Sequence, residues 1–517
     1  MRIATTEGYV ADESRLQGQA EDVVIVQSES ALIAALKEAF TEGMPITTQG
    51  GLTGITGAAV PQGGRVLSMR NMRRVLGLRK DADGFYLLAQ PGCTLEGIRQ
   101  MLQRPHDIDV QGWSEESLRA WKAFCDVPVH MFAPDLTETG ATLGGVVSTN
   151  GSGARSYYYG ATRRHITALK IVLPGGDVIC LRRGTRLAQK LSFSVQAESG
   201  RCYRGVLPDY HVPDVKHAAG LYAAPDMDLI DLFIGAEGTL GVIAEVEVRL
   251  VPRPVQVCGL TMFLSSEAQA LDLVDLVRGL GHTVYALEYF SAQALDLLRD
   301  VSMRAESVRI PALAAHWHTA LYVEMDTSSP DALTDLVGLL EQVGGKEEDT
   351  WLAEGYDEIE TLKGIRHAIP ERINSWISRH QQSWPAVTKL GTDLAVPDDC
   401  LRTVMQMYHA DLQATGLPYV IFGHIGNNHV HVNILPPNED AWKVGKALYM
   451  QWAARVVEMG GTVSAEHGIG KLKTDMLLLL YGEKGIAQMR DVKAVFDPHF
   501  LLNQGTLFRY EGRDRLR

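Results

Sequence analysis

Gln49-Gly50-Gly51-Leu52-Thr53-Gly54-Ile55-Thr56-Gly57 is the stretch on which the reading of the fold turns. It follows a predicted strand, PITTQ at residues 45–49, that closes a β-α-β opening. The first strand is VVIVQ from Val23, and the helix is ALIAALKEAF from Ala31, with Leu32, Ala35, Leu36 and Phe40 on one face. Glycine admits φ > 0 and lets a ligand approach the backbone, so successive N–H groups in such a loop form a nest for an anion such as a pyrophosphate. The spacing is not the GxGxxG that opens a long helix in dinucleotide-binding folds, and no acidic residue about 20 positions later closes such a unit. Taken alone, the loop is equally well explained as a tight turn between sheet elements.

A second dense cluster weakens that explanation: Thr142-Leu143-Gly144-Gly145-Val146-Val147-Ser148-Thr149-Asn150-Gly151-Ser152-Gly153, preceded by Pro134-Asp135. Two such clusters, both flanked by apolar segments, fit an extended cofactor threaded between sheets. A third, Gly235-Ala236-Glu237-Gly238-Thr239-Leu240-Gly241-Val242-Ile243, leads into VIAEVEVRL at 242–250, whose alternation predicts a half-buried strand. Between the clusters, strands are predicted at 65–69 and on both sides of the turn Asp81–Gly84, and a helix over 95–102. Residues 166–181 read as a hairpin turning at Pro174-Gly175-Gly176-Asp177, and 182–225 as loop-rich.

VPRPVQV, residues 251–257, interrupts the pattern with two prolines and sets a domain boundary. Beyond it, strands over 258–264, 283–290 and 319–325 alternate with helices over 266–280, 292–299 and 330–343, which predicts an α+β domain on an antiparallel sheet. A chain of 517 residues is too long for one core, so at least two domains are expected. Apolar content of 46%, charged content of 21% and a mean hydropathy near zero describe a globular protein, and no run approaches the roughly 20 apolar residues of a membrane span. The N-terminus carries none of the features of a secretory signal, so the expected location is cytoplasmic, with peripheral contact at the inner face of a membrane allowed for. A net charge of −13 without a Lys/Arg block argues against a nucleic-acid surface, though not against a small anionic substrate in a local cationic pocket. Cys93, Cys125, Cys180, Cys202, Cys258 and Cys400 form no CxxC pair, so reduced, buried thiols are expected rather than a zinc or iron–sulfur site.

The three glycine segments, in this order and spacing, resemble the FAD-binding domain of the vanillyl-alcohol oxidase and p-cresol methylhydroxylase superfamily. The resemblance implies a two-lobed FAD-binding domain over 18–253. In it Gly50, Gly51, Leu52, Thr53, Gly54 and Gly57 would hold the pyrophosphate, and Pro134, Asp135, Thr142, Gly144, Gly145, Ser148, Asn150 and Gly153 would line the flavin and its ribityl chain. Glu237, Gly241, Val242 and Ile243 would close over the adenine side. Pro213, Lys216 and Gly220 resemble a further family segment, PxxxKxxxGY. No residue for covalent attachment is identifiable, so FAD is expected to be non-covalent.

In the C-terminal half, Gly423-His424-Ile425-Gly426-Asn427-Asn428-His429-Val430-His431-Val432-Asn433 reads as a turn followed by strict alternation, which puts His429, His431 and Asn433 on one strand face. His424 can fold back across the turn toward His431. Two imidazoles and a carboxylate are a common set for zinc with an open position for substrate, and Glu466 in Gly460–Gly470 supplies the carboxylate. Each His alone is more readily a hydrogen-bonded histidine. Two His-rich turns hemmed by glycine are hard to explain as packing, because glycine costs backbone entropy.

This half resembles the C-terminal domain of the FAD-linked D-2-hydroxy acid dehydrogenases, which act on D-lactate, D-2-hydroxyglutarate and glycolate and carry GHxGDGNxHxN and GGxxxGEHGIG. Here Asn427-Asn428-His429 stands for Asp-Gly-Asn, and Ala465 for the Gly before Glu466. The resemblance implies an α+β cap or substrate domain with an antiparallel sheet over 254–517. His424, His431 and Glu466 would hold a divalent metal, zinc by its donors. His467 would act on the substrate as acid or base, and Asn433 would hydrogen-bond it. Arg366 matches the family Arg that grips the substrate carboxylate with its planar fork. Lys389 resembles a second substrate-side cation, and Asn503 the closing Asn near the flavin.

The activity so implied is oxidation of a D-2-hydroxy acid, D-lactate first, to the 2-oxo acid. The hydroxyl proton would go to His467 and the α-hydrogen as hydride to flavin N5, with a metal polarising the oxygens. Electrons would pass to an external acceptor, whether quinone, cytochrome, electron-transfer flavoprotein or oxygen, and a homodimer is allowed for. Two readings of other classes stand beside this one: a metal-dependent hydrolase, which leaves the glycine loops unexplained, and a flavin-binding subunit without catalysis, which leaves the ligand set unexplained.

Overall fold

The β-α-β opening forms as its apolar periodicity predicts. Residues 2–134, 136–300 and 312–509 are described in the computed structural model. Strands Asp22–Ile25, Arg65–Ser68 and Ile46–Gln49 pair in parallel, with Arg2–Ile3 antiparallel at one edge. The intervening helix, Glu29–Glu42, starts at Ser28, whose hydroxyl accepts the Ala31 N–H, and stops at left-handed Gly43. It buries Leu32, Ala35, Leu36 and Ala39 against the sheet. Phe40, expected on that face, is only half-buried, its ring against His499 at 4.8 Å. Arg65 is fully buried on the central strand, which is tolerable because Asp22 takes its Nε at 2.8 Å and Glu38 its Nη1 at 3.1 Å.

A second sheet is antiparallel, in the order Val75–Asp81, Gly84–Ala89, Val242–Pro252, Ile166–Val172, Val178–Arg182, with His130–Met131 also on Val242–Pro252. The Asp81–Gly84 turn and the hairpin at 173–177 fall where the turn residues predict. Residues 182–225, expected as loop, instead contain a hairpin of Ser192–Gln196 with Cys202–Val206. Its inward residues Phe193, Val195 and Tyr203 alternate with exposed ones, a pattern too short to read against the glycines around it.

The last described segment returns to the beginning of the chain. Ile46 donates its N–H to the Leu501 carbonyl at 2.8 Å, and Asn503 donates to the Ile46 carbonyl at 2.7 Å. Residues around 502 therefore extend the opening sheet.

Beyond Val257 the alternation of strands and helices builds a seven-stranded antiparallel sheet. Its order is Thr350–Glu354, Val257–Leu264, Thr319–Asp326, Val284–Phe290, Tyr419–His424, His429–Ile434, Leu390–Gly391. Among the described residues no strand belongs to both this sheet and the earlier ones. A helix of 27 residues, Gly355–Gln381, packs beside it with Pro370 inside. Proline has no N–H, so the helical bond that would close on the Arg366 carbonyl is missing at that turn.

All six cysteines are free. Cys93 and Cys258 are buried as expected, but Cys180 and Cys202 are exposed, because they sit on the outward faces of edge strands. Among the described residues no helix is long and apolar enough to cross a membrane.

Candidate active site

A cavity of about 870 Å³ runs between the two halves, lined by all three glycine segments at one end and by the histidine-rich turns at the other. Gly50, Gly51, Leu52, Thr53 and Gly54 face it, as do Thr142, Gly144, Gly145, Ser148 and Gly153, then Glu237, Gly241, Val242, Ile243 and Asn503. The first two loops are packed so closely that a methyl at Gly50 would lie 2.2 Å from Thr142 Oγ1, and one at Gly51 2.8 Å from the Gly140 carbonyl. Thr142 is also the cap of helix Leu143–Thr149, accepting from Gly145 N–H. Bare backbone at these positions is what an elongated anionic cofactor needs, so the cradle fits the FAD that the glycine segments imply.

Three residues expected to touch a cofactor stand behind the wall instead. Gly57 turns away at φ 76° and its carbonyl accepts from Lys471 Nζ at 3.2 Å. Pro134 is buried outside the cavity lining. Asn150 is spent on structure, its amide donating to the His217 carbonyl and accepting the Arg163 N–H. Asp135 lies outside the described residues.

At the other end, strand register does the positioning. Tyr419–His424 and His429–Ile434 form a hairpin in which His424 faces His429 and Phe422 faces His431. His424, His429, His431 and Glu466 bring one potential ligand atom each within 4.8 Å of one another. His424 is fixed through Nδ1 by Glu288 Oε1 at 2.6 Å, and His431 through Nδ1 by the Thr392 carbonyl at 2.9 Å. Their Nε2 atoms are thereby turned to Glu466, at 3.3 and 3.4 Å. Orientation of this kind, with Nδ1 bonded behind and Nε2 presented, is how imidazoles are prepared for a metal. His429 adds a buried Nδ1 with no hydrogen-bond partner, 4.0 Å from Glu466. The donor set fits a divalent cation.

Glu466 itself is held by Lys216 Nζ at 2.7 Å. Burial alone would raise its pKa, but Lys216 and His424 keep it well below the usual carboxylate range. Burial lowers the pKa of His431. His467 goes the other way: against burial, Asp393 and Glu466 raise it to about 9. Asp393 is the organiser of this turn. Fully buried, it accepts the N–H groups of Glu466 and His467 at 3.1 Å, the Ser464 hydroxyl at 2.6 Å and Lys473 Nζ at 2.6 Å. His467 Nδ1 lies 3.4 Å from the same carboxylate, which leaves Nε2 on the side of Glu466 at 3.3 Å.

Arg366, Lys389 and Asn433 all reach the cavity. Arg366 is no solvated surface arginine, since its side chain is only 12% exposed and its Nε lies 3.2 Å from Glu288 Oε2. Lys389 lines the cavity with its side chain exposed there, and partial desolvation by the surrounding protein lowers its ammonium to about 8. Asn433 donates weakly to the His431 carbonyl at 3.3 Å while its Oδ1 is buried without a partner.

The two ends are stitched together by the turn that follows His467. Ile469 and Gly470 donate their N–H groups to Glu237, while Lys471 N–H goes to the Thr56 carbonyl and Lys471 Nζ to Gly57 and Ala58. A methyl at Gly470 would meet the Thr56 carbonyl oxygen at 2.1 Å.

Three residues of this site escape sequence reasoning: His429 as a fourth potential ligand, Asp393, and Glu288. The signal for Glu288 was present, a lone carboxylate in the apolar strand VYALEYF. Asp393 had no such signal, because its role depends on a turn distant in sequence.

The FAD binding domain model matches residues 20–106 and 127–182, and the model of the C-terminal domain of FAD linked oxidases matches 253–507. A D-lactate dehydrogenase of Anaerostipes hadrus is 26% identical over 97% of the chain and 92% of its own length. The glycolate oxidase subunit GlcD of Bacillus subtilis is 25% identical over 92% of the chain and 86% of its own length. A D-2-hydroxyglutarate dehydrogenase of Stutzerimonas stutzeri is 25% identical over 94% and 90%. Among solved structures, an alkyldihydroxyacetonephosphate synthase superposes with a TM-score of 0.60 at 15% identity, over 95% of this chain and 76% of the other.

Proposed function

The chain belongs to the FAD-linked oxidases of the D-lactate, glycolate and D-2-hydroxyglutarate dehydrogenase type, and on that premise we propose that it oxidises a D-2-hydroxy acid, D-lactate first, to the 2-oxo acid. The observation that carries this reading is that one cavity joins the glycine cradle to Arg366, His467 and the His/Glu set. Residues 18–253 serve as the flavin-binding unit and 254–517 as the substrate unit. FAD would be held without a covalent bond along Gly50–Gly54, Thr142–Gly153, Glu237–Ile243 and Asn503 and would supply the acceptor for the α-hydrogen, with an external quinone, cytochrome, electron-transfer flavoprotein or oxygen as the destination of its electrons. A divalent metal, zinc by its donors, would be held by His424, His431 and Glu466 and would supply a Lewis acid beside the 2-hydroxyl.

The chain's own groups do the rest. The Arg366 fork pairs with both carboxylate oxygens and fixes the α-carbon against the cradle. Asn433 and Lys389, which line the same cavity, hydrogen-bond the substrate as well. His467 would accept the hydroxyl proton at Nε2 from its neutral form, which a cation held by Glu466 would favour by offsetting one of the two carboxylates that raise it to about 9, while Asp393 beside Nδ1 fixes the tautomer and steadies the imidazolium that results.

Anaerobic mixing of the FAD-loaded protein with a panel of D- and L-2-hydroxy acids tests the reading. Bleaching of the flavin by D-lactate, lost with a chelator and restored by zinc, is the expected result. If no acid of either hand bleaches it, the assignment is wrong. Bleaching by a dicarboxylic hydroxy acid alone would move the substrate to D-2-hydroxyglutarate.

A further inference from the structure

Glu288 is a charged residue in the middle of a strand, Val284–Phe290, whose seven residues are all buried. A carboxylate with no exposure is expensive to bury unless charged partners meet it. Two do. Oε1 lies 2.6 Å from His424 Nδ1, and Oε2 lies 3.2 Å from Arg366 Nε. Both partners line the cavity, so the carboxylate stands between two groups that face it.

The arrangement is built into the sheet. Tyr289 is paired with Gly423 and Phe290 with Phe422, so Glu288 stands beside His424 on the neighbouring strand by register. Arg366 comes from the separate helix Gly355–Gln381, at the turn where Pro370 removes a backbone bond. One carboxylate therefore faces a potential metal ligand with one oxygen and the candidate substrate anchor with the other.

We propose that Glu288 is a positioning residue that couples the metal centre to the carboxylate anchor, orienting His424 for the cation and the Arg366 fork for the substrate at the same time. The inference rests on the proposed function for the identity of the two ligands, but not for the coupling itself. Glutamine at 288 still fills the space. It has no charge to offer Arg366, and if its amide oxygen keeps His424, its NH₂ faces the guanidinium donor to donor.

The test uses the FAD-loaded full chain and two readouts that need no turnover. Zinc affinity is measured by competition with a chromophoric chelator, and 2-oxo acid affinity by the change in flavin absorbance on titration with pyruvate and with 2-oxoglutarate. Glu288→Gln should weaken zinc by about 10-fold or more, in the range typical for partners behind a ligating histidine, and should weaken 2-oxo acid binding by a similar factor. Glu247→Gln, which disturbs another buried ion cluster with Arg79 and Arg182, should lower the melting temperature while leaving both affinities alone. If Glu288→Gln does not yield folded flavoprotein, Glu288→Asp keeps the charge but is one methylene too short to span both partners, and should weaken at least one ligand about 10-fold. The proposal is overturned if the folded variant binds zinc and both 2-oxo acids within twofold of the parent. Should no hydroxy acid reduce the flavin, the proposed function fails while the zinc titration still decides the role of Glu288.

Discussion

The carboxylate of Glu237 accepts the backbone N–H of Ile469 at 2.7 Å through one oxygen and that of Gly470 at 2.8 Å through the other. A segment that lines the cofactor end of the cavity thus holds the turn that carries Glu466 and His467. Glu237→Ala would strand two buried donors, each costing about 1–3 kcal/mol. The expected protein retains less FAD and less metal together, read as flavin-to-protein and metal-to-protein ratios after desalting. A fall in one ratio with the other intact would show that the two ends are independent.

Gly50→Ala places a methyl against Thr142 Oγ1. That oxygen caps a short helix, and losing such a cap costs about 1 kcal/mol. The larger effect is on the cradle, since the two loops can no longer meet. The variant should purify largely colourless with its far-ultraviolet dichroism unchanged, and full flavin occupancy would count against the packing argument.

Asp393→Asn removes the charge that opposes Lys473 and His467. It should lower turnover by at least about 100-fold, the scale of losing a positioned acid–base group. Because Asp393 helps raise the His467 pKa, any residual activity should show its ionisation at lower pH than in the parent. An unshifted profile would leave Asp393 a purely structural role.

Lys493 is buried and donates to Asp497, to the Thr239 carbonyl at 2.7 Å and to the Leu502 carbonyl at 2.9 Å. Lys493→Met leaves Asp497 as an uncompensated buried charge, which costs about 3–5 kcal/mol. Denaturant unfolding of the flavin-free protein should register a loss of that order. A loss below about 1 kcal/mol would mean that water or another donor takes over.

His165 is buried, with Nε2 on the Tyr159 carbonyl, and burial lowers its pKa to about 4; His217 is lowered to about 4 by the same cause. The unfolded chain takes up these protons near 6.5 and the folded chain resists them down to 4. Stability is therefore full above about pH 6.5 and falls as pH drops toward 4, by on the order of 3 kcal/mol per site. His165→Gln should flatten part of that slope in melting temperature against pH. An unchanged slope would assign the acid sensitivity elsewhere.

Local elements were legible because they rest on short-range physics. The helix after Ser28 has its cap, its apolar face and its terminating Gly43 in one stretch, and the turns at Asp81–Gly84 and 173–177 carry their own residues. The ligand hairpin was legible too, since alternation alone puts His429 and His431 on one face. What could not be read was whatever depends on two distant segments meeting. Gly57, Pro134 and Asn150 belong to loops whose other members face the cavity, and only the packed structure tells front from back. Asp393 and Glu288 act across strands and turns that sequence order keeps apart. The hairpin of Ser192–Gln196 with Cys202–Val206 was lost because its strands are short and half exposed.

The hydrogen bond from Thr48 N–H to Asn503 Oδ1, at 2.9 Å, joins residues 455 positions apart. Asn503 also donates to the Glu237 carbonyl, so one late residue ties the first glycine strand to the third glycine segment. During synthesis the opening strands emerge from the ribosome long before that residue exists. The nascent cradle must wait, open on one side, until the 455 residues that separate Thr48 from Asn503 have been translated. A cradle closed by this clasp can therefore form only after residue 503 has been made, and a ribosome stalled before it leaves a chain that has the glycine loops but not the clasp that closes them.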